Sequence, residues 1–101
     1  MECSLVIDLE KSLGEKSETV EIDVDWALAN VNSPSEATAQ VLEQSEFGFG
    51  PLGPILRQAN IVRYFISCKD GIMHGGPGTL RIGLFSLNWE IWYKMKSLYY
   101  I

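Results

Sequence analysis

The chain has 101 residues, of which 47% are hydrophobic and 21% charged, and its formal net charge is −5. These values are typical of an ordinary globular domain that can bury a core, so we predict a single domain over residues 1–101. The acidic balance disfavours direct binding to nucleic acid, because the phosphate backbone carries the same sign of charge.

The N-terminal segment predicts a β-hairpin. Apolar residues alternate with polar ones from Cys3 to Leu9, which is the pattern of a strand with one buried face. Asp8 interrupts this short apolar stretch, so we expect no signal peptide and a cytoplasmic protein. A second alternating segment, 20–25, follows a turn, and the carboxylates on it are predicted to point to one solvent side.

A helix is predicted next, from Ser33 to about Ser45. Ser33 can cap it, Pro34 suits its first turn, and Glu36 completes a capping box. The following segment, Phe47–Pro54, is rich in glycine and proline and predicts a loop. It lacks the G-K-[ST] ending of a phosphate-binding loop. Phe47 and Phe49 are either exposed anchors for a partner or a lid over the core, and both alternatives stay open.

Residues 60–68 are rich in β-branched and aromatic side chains, which predicts a strand buried on both faces. Lys69–Gly71 is a hairpin signal leading into a short strand. His74–Gly78 resembles the oxyanion loop of prolyl aminopeptidases and related α/β-hydrolases. The chain has neither the G-x-S-x-G elbow nor the second histidine of those enzymes, so we predict a glycine turn with positive φ angles instead.

The last segment, 87–101, allows two interpretations. Unbroken alternation of apolar residues favours a strand to about Lys96, in which Trp89 points inward and Trp92 is exposed. The alternative is a helix capped by Ser86, with Glu90 and Lys94 paired four residues apart. The most apolar stretch of the chain, 80–101, is interrupted by charged residues and lacks the roughly 20 uninterrupted apolar residues of a membrane span, so no membrane association is expected. The predicted fold class is α+β, a mostly antiparallel sheet of about five strands with one main helix on one face.

No catalytic, metal or cofactor site is predicted. Cys3, Cys68 and His74 contain no closely spaced pair of the kind that zinc sites show. Each cysteine lies within an apolar run, so both are expected to be buried, reduced thiols. Asp23 and Asp25 lack neighbours that would separate their pKa values for acid/base catalysis. The chain is therefore expected not to be an enzyme.

Charge is segregated along the chain. Residues 1–50 hold eleven carboxylates and two lysines, a net charge of −9, whereas residues 51–101 hold two carboxylates and six basic residues, a net charge of +4. The acids of the second strand are either a solvated strand face or a docking surface for a basic protein. The predicted partner-binding residues are Glu18, Glu21, Asp23, Asp25, Phe47, Phe49 and Trp92.

In size, acidity, α+β pattern and lack of catalytic motifs, the chain resembles the small immunity proteins that bacteria make against their own nuclease toxins, including those of contact-dependent inhibition systems. The resemblance implies a cytoplasmic protein that binds a cognate toxin tightly and covers its basic active-site or substrate surface. Whether the chain is a monomer or a homodimer stays open. The alternative is a small structural or assembly subunit that pairs through its aromatic C-terminal strand.

Overall fold

The computed structural model describes residues 2–10, 17–30, 34–45, 58–69, 71–81 and 88–98. Eight elements follow one another in the order β1 Cys3–Glu10, β2 Ser17–Asp23, α1 Val24–Asn30, α2 Pro34–Gln44, β3 Gln58–Cys68, β4 Gly71–Gly75, β5 Gly78–Arg81 and α3 Trp89–Ser97. The predicted α+β class with a five-stranded antiparallel sheet is confirmed. The described residues form three helices, where the sequence predicted one main helix.

The strands lie in the order β2-β1-β3-β4, and β5 also pairs with β3. All pairings are antiparallel, including the predicted hairpin of β1 and β2. Because β1 occupies one side of β3, β4 and β5 follow each other along its other side. β4 lies opposite residues 64–68 and β5 lies opposite residues 58–61.

One face of the sheet carries the core. Leu5, Ile7, Tyr64 and Ile66 are almost fully buried there, together with residues of all three helices. The opposite face, which we call the open face, carries the side chains that alternate with these. They include Val6, Asp8, Thr19, Glu21, Asp23, Arg63, Phe65, Ile72 and His74.

The prediction that β3 is buried on both faces is wrong. Its residues alternate between buried and solvent-facing positions, with Ser67 exposed between Ile66 and Cys68. A bulge interrupts the alternation, because Asp8 lies opposite Arg63 whereas Leu9 lies opposite Ile61. Val62 is the extra residue and is 45% exposed. The β-branched composition of this strand therefore reflects its central position in the sheet and not a second covered face.

The second strand ends earlier than predicted, at Asp23, and a helix follows at once. The carboxylate of Asp23 accepts hydrogen bonds from the backbone N–H groups of Asp25 at 2.8 Å and Trp26 at 3.2 Å. These bonds satisfy donors that the first turn of a helix leaves free. The alternation continues through Val24 and Asp25 in sequence, but the cap at Asp23 turns the chain into α1.

The strand favoured for the C-terminal segment is wrong, and the helical alternative is correct for Trp89–Ser97. The predicted cap, Ser86, is wrong: Asn88 caps the helix by accepting a hydrogen bond from the Glu90 N–H at 2.8 Å. The predicted pair of Glu90 and Lys94 forms an ion pair of 3.1 Å. None of the described helices is both long enough and apolar enough to cross a bilayer.

Two glycine-containing segments after β3 were predicted to be turns, and only the first is one. The hairpin at Lys69–Gly71 is confirmed, since Cys68 lies opposite Gly71, which has a φ of 151°. No glycine of the described part of His74–Gly78 has a positive φ, so the turn predicted there is wrong. These residues run along β3 instead, and Gly75 provides room for the ring of Tyr64 that lies over it.

The two cysteines are joined in a disulfide, so the expected reduced thiols are wrong. Cys3 begins β1, Cys68 ends β3, and the two residues lie directly opposite each other with their Cα atoms 4.4 Å apart. The apolar sequence around each cysteine indicated burial correctly, but it could not show that the antiparallel register brings them together.

Candidate partner-binding surface

The four carboxylates predicted to form an acidic surface do not lie together. Glu21 and Asp23 are exposed on the open face of β2. Glu18 has the opposite orientation, on the face of the buried Val20, and is half-buried. Asp25 belongs to the first turn of α1. Only Glu21 and Asp23 of the four predicted carboxylates therefore share a surface. Glu18 is excluded because side chains alternate between the two faces of a strand, and Asp25 is excluded because the strand ends at Asp23.

A third carboxylate, missed by sequence reasoning, joins these two. Glu2 precedes β1 and lines a shallow depression of about 390 Å³ together with Ser4, Glu21, Ile22 and Asp23. The register shows why, since Ser4 lies opposite Asp23 and Glu2 is one pleat further along the same face. We call Glu2, Glu21 and Asp23 the acidic edge.

The charge of the acidic edge is directed to solvent. Among the residues that the structure describes, none of its three carboxylates forms an ion pair with a basic side chain. Asp23 uses one oxygen to cap α1, which leaves its negative charge in place. Three like charges are therefore held close together without a cation from the part of the chain that the structure describes.

Asp8, further along the open face, is in a different state. Arg63 forms a hydrogen-bonded ion pair with its carboxylate, and the hydroxyl of Thr19 donates to it at 2.8 Å. The Arg63 guanidinium, more than the Thr19 hydroxyl, lowers the pKa of Asp8 below its usual value. Asp8 is thus neutralised within the molecule and contributes little to a docking surface.

The centre of the open face is partly aromatic. The guanidinium carbon of Arg63 lies 5.6 Å from the centroid of the Phe65 ring, and the rings of Phe65 and His74 lie 6.2 Å apart. Ile72, beside them on β4, is 64% exposed. The acidic edge therefore adjoins a surface that mixes one cation with apolar side chains.

The three aromatic residues predicted to contact a partner are Phe47, Phe49 and Trp92. Trp92 is only 7% exposed and packs in the core, so its prediction as an exposed partner-binding residue is wrong. The helix rotates Trp89 and Tyr93 outward instead, with 71% and 66% of their surface exposed. Helical spacing would have identified these two, since they lie four residues apart. Phe47 and Phe49 lie outside the described residues.

One buried polar cluster lies apart from this surface. The hydroxyl of Tyr64 is buried and, within the described residues, lacks a hydrogen bond of good geometry. The Lys94 ammonium lies 5.4 Å from the centroid of its ring and donates to the His74 carbonyl at 3.4 Å. Burial raises the pKa of Tyr64, so the phenol stays protonated at neutral pH.

Metal binding is not supported by the described residues. No group of three or more histidine, cysteine or acidic side chains there is arranged to hold a metal ion. Comparison with protein-family models found no matching family, and searches of curated proteins and of solved structures found no match.

Proposed function

We propose that this chain is a non-enzymatic binding protein, an immunity or inhibitor protein that neutralises a cognate nuclease toxin by covering its basic active-site or substrate surface. The observation that carries the proposal is the acidic edge, in which Glu2, Glu21 and Asp23 surround an open depression without a basic partner among the described residues. Such a surface attracts a basic protein and speeds its association.

The complementarity follows from what a nuclease must do. A surface that binds the phosphate backbone carries lysine and arginine, because neutralising phosphates supplies much of the affinity. An acidic protein that occupies this surface competes with the substrate directly. The net charge of −9 in residues 1–50 favours the same kind of partner. Phe47 and Phe49 stay predicted contacts, whereas Glu18, Asp25 and Trp92 leave the proposed surface.

A cytoplasmic location belongs to this proposal, and the disulfide weighs against it. Cellular thiol systems keep most cytosolic cysteines reduced, whereas disulfides persist in oxidising compartments. Alkylation of the protein in freshly lysed cells, before and after reduction, distinguishes the two. Modification of Cys3 and Cys68 without added reductant places the protein in a reducing compartment.

The alternative function required pairing through an aromatic C-terminal strand. Residues 89–97 form helix α3 instead, so the element that was to pair is not a strand. No observation on the described residues favours an assembly subunit over a binding protein, and we propose the latter alone.

A calorimetric titration tests the proposal with the product of an adjacent toxin-like reading frame as the partner. We compare Glu21→Gln with Glu43→Gln, which removes the same charge from an exposed position of α2. Glu21→Gln should weaken binding about two- to fivefold at low salt, and the difference should shrink at high salt. Glu43→Gln should have little effect. Affinity that is indifferent to salt and to Glu21→Gln contradicts the proposal.

A further inference from the structure

The acidic edge coincides with an edge of the sheet. β2 stands at one end of the strand order, and among the described residues it pairs with β1 only. Its outer side therefore presents backbone N–H and C=O groups that no described strand uses. Such an edge is a template on which another extended segment can add.

The register shows which residues present these groups. In antiparallel pairs, residues that do not share hydrogen bonds have Cα atoms about 4.5 Å apart, against about 5.5 Å for hydrogen-bonded pairs. Cys3 and Cys68 are 4.4 Å apart, so the backbone of Cys3 faces away from β3 and toward β2. Leu5 has the same orientation two residues later and therefore bonds to Ile22, its neighbour on β2.

Along β2, successive residues direct their backbone N–H and C=O groups alternately to β1 and to the outer edge. If Ile22 and Val20 direct their backbone groups to β1, then Thr19 and Glu21 direct theirs to the open edge. The side chains of Thr19 and Glu21 lie on the open face, where the acidic edge is. The backbone groups without a described strand partner and the Glu21 carboxylate, which has no ion pair among the described residues, therefore belong to the same stretch of strand.

We infer that β2 accepts an extended segment of a protein partner as an additional antiparallel strand, with lysine or arginine at alternate positions opposite Glu21. This inference rests on the proposed function and specifies how the acidic edge would engage. Residues directly opposite in a hydrogen-bonded pair share a face, with Cβ atoms about 5 Å apart. A basic residue opposite Glu21 thus reaches the carboxylate while its backbone completes the ladder.

The negative charge of the acidic edge favours a basic partner strand over a second copy of the chain. Two β2 edges paired with each other would bring Glu21 close to the acidic side chains of the other copy, and like charges across strands are destabilising. Charged side chains on an edge strand are a common protection against such self-pairing. A strand with alternate cations turns the same side chains into attractive partners.

A fluorescent, capped seven-residue peptide in which lysine alternates with threonine tests the inference by anisotropy. Two methylated forms keep its charge: one carries N-methyl groups on the lysine amides, and the other carries them on the threonine amides. A lysine directly opposite Glu21 forms a hydrogen-bonded pair with it, so the backbone N–H of that lysine donates to β2. Methylation of the lysine amides should therefore weaken binding at least about tenfold, and methylation of the threonine amides should leave it within about twofold.

Amide hydrogen exchange supplies a second measurement on the protein itself. The N–H groups of Thr19 and Glu21 should exchange more slowly when the unmethylated peptide is bound. Those of Val20 and Ile22, which already bond to β1, should change little. Glu21→Gln should weaken the peptide about two- to fivefold, and Glu43→Gln should not.

Three results would overturn strand addition. The first is equal binding by both methylated peptides, which leaves the acidic contact of the proposed function standing. The second is no binding of the parent peptide at millimolar concentration. The third is slow exchange of the Glu21 amide without peptide together with a concentration-dependent dimer in sedimentation, because a second copy then occupies the edge. Strand addition with a toxin affinity unaffected by Glu21→Gln would instead contradict the proposed function.

Discussion

Gly75 shows how one residue without a side chain can be required by packing alone. It lies opposite Tyr64 in the pairing of β3 and β4, and a Cβ atom added to it would overlap the phenol ring. Tyr64 is fully buried and the largest of the completely buried side chains, so the ring has little room to move. Gly75→Ala should lower the free energy of unfolding by about 1 to 3 kcal/mol, the usual cost of overpacking.

Gly76→Ala is the matched control for this prediction. A Cβ atom at Gly76 meets nothing within 4 Å, and its φ is not positive. We expect its free energy of unfolding, measured by urea denaturation, to stay within about 0.5 kcal/mol of that of the parent protein, as is usual for surface substitutions. Equal destabilisation by the two variants would show that Tyr64 does not lie over Gly75.

Neither the role of Gly75 nor that of Asp8 could be predicted from the sequence. The glycine run around Gly75 signalled special backbone geometry, but a close approach depends on which residue lies opposite. Asp8 and Arg63 are 55 residues apart, and their ion pair follows from strand order and the bulge at Val62. Local patterns indicate burial and exposure, whereas contacts across strands need the register.

Helix α3 is the element in which two sequence patterns coincide. Trp89, Ile91, Tyr93 and Met95 alternate as in a strand, and Ile91, Trp92 and Met95 also share one face of a helix. The cap at Asn88 and the Glu90–Lys94 pair favour the helix. Alternation over six apolar positions therefore gave the wrong period. The predicted pairing of Glu90 with Lys94 was correct, whereas the predicted cap, Ser86, was wrong because Asn88 caps the helix.

The two tryptophans of α3 give a direct test of this assignment. Trp92→Ala should cost about 3 to 5 kcal/mol of unfolding free energy, because it removes a large side chain that is only 7% exposed. Trp89→Ala, at 71% exposure, should cost less than about 1 kcal/mol. Chemical denaturation followed by circular dichroism measures both. The reverse order of the two losses would indicate the strand phase.

The strands were easier to predict than the helices for a physical reason. β1 and β2 alternate strictly because one face is buried and the other meets solvent, so the period of two is plain in the sequence. Helix α1 has only seven residues and shares its first ones with the alternation of β2. Its signal is the single capping side chain of Asp23, which sequence reasoning counted as part of the docking surface.

At the scale of the whole molecule, only part of the predicted acidic set lies on one surface. The sequence places eleven acids in residues 1–50, and of the four predicted ones Glu21 and Asp23 line the same depression. Glu18 and Asp25 do not, because their positions depend on the face and the end of β2. Glu2 joins through the pairing of β1 with β2, which brings the beginning of one strand to the end of the other.

The disulfide is expected to stabilise the molecule as a whole, because it joins the beginning of β1 to the end of β3. It links residues 65 positions apart in sequence, so it restricts a large part of the unfolded chain. The chain-entropy relation for a loop of this length gives a stabilisation of about 4 kcal/mol. Cys3→Ala combined with Cys68→Ala should lower the free energy of unfolding by about this amount, measured by urea denaturation.

The parent protein measured with and without a thiol reductant separates loss of the bond from loss of cysteine packing. Because both cysteine side chains contact the core, the double variant should be slightly less stable than the reduced parent, and both should be far less stable than the oxidised parent. Cys3 lies between Glu2 and Ser4, which line the depression at the acidic edge. Reduction should therefore also loosen the start of β1 and speed amide exchange at Ser4. An unfolding midpoint that does not change with reductant would contradict the bond between Cys3 and Cys68.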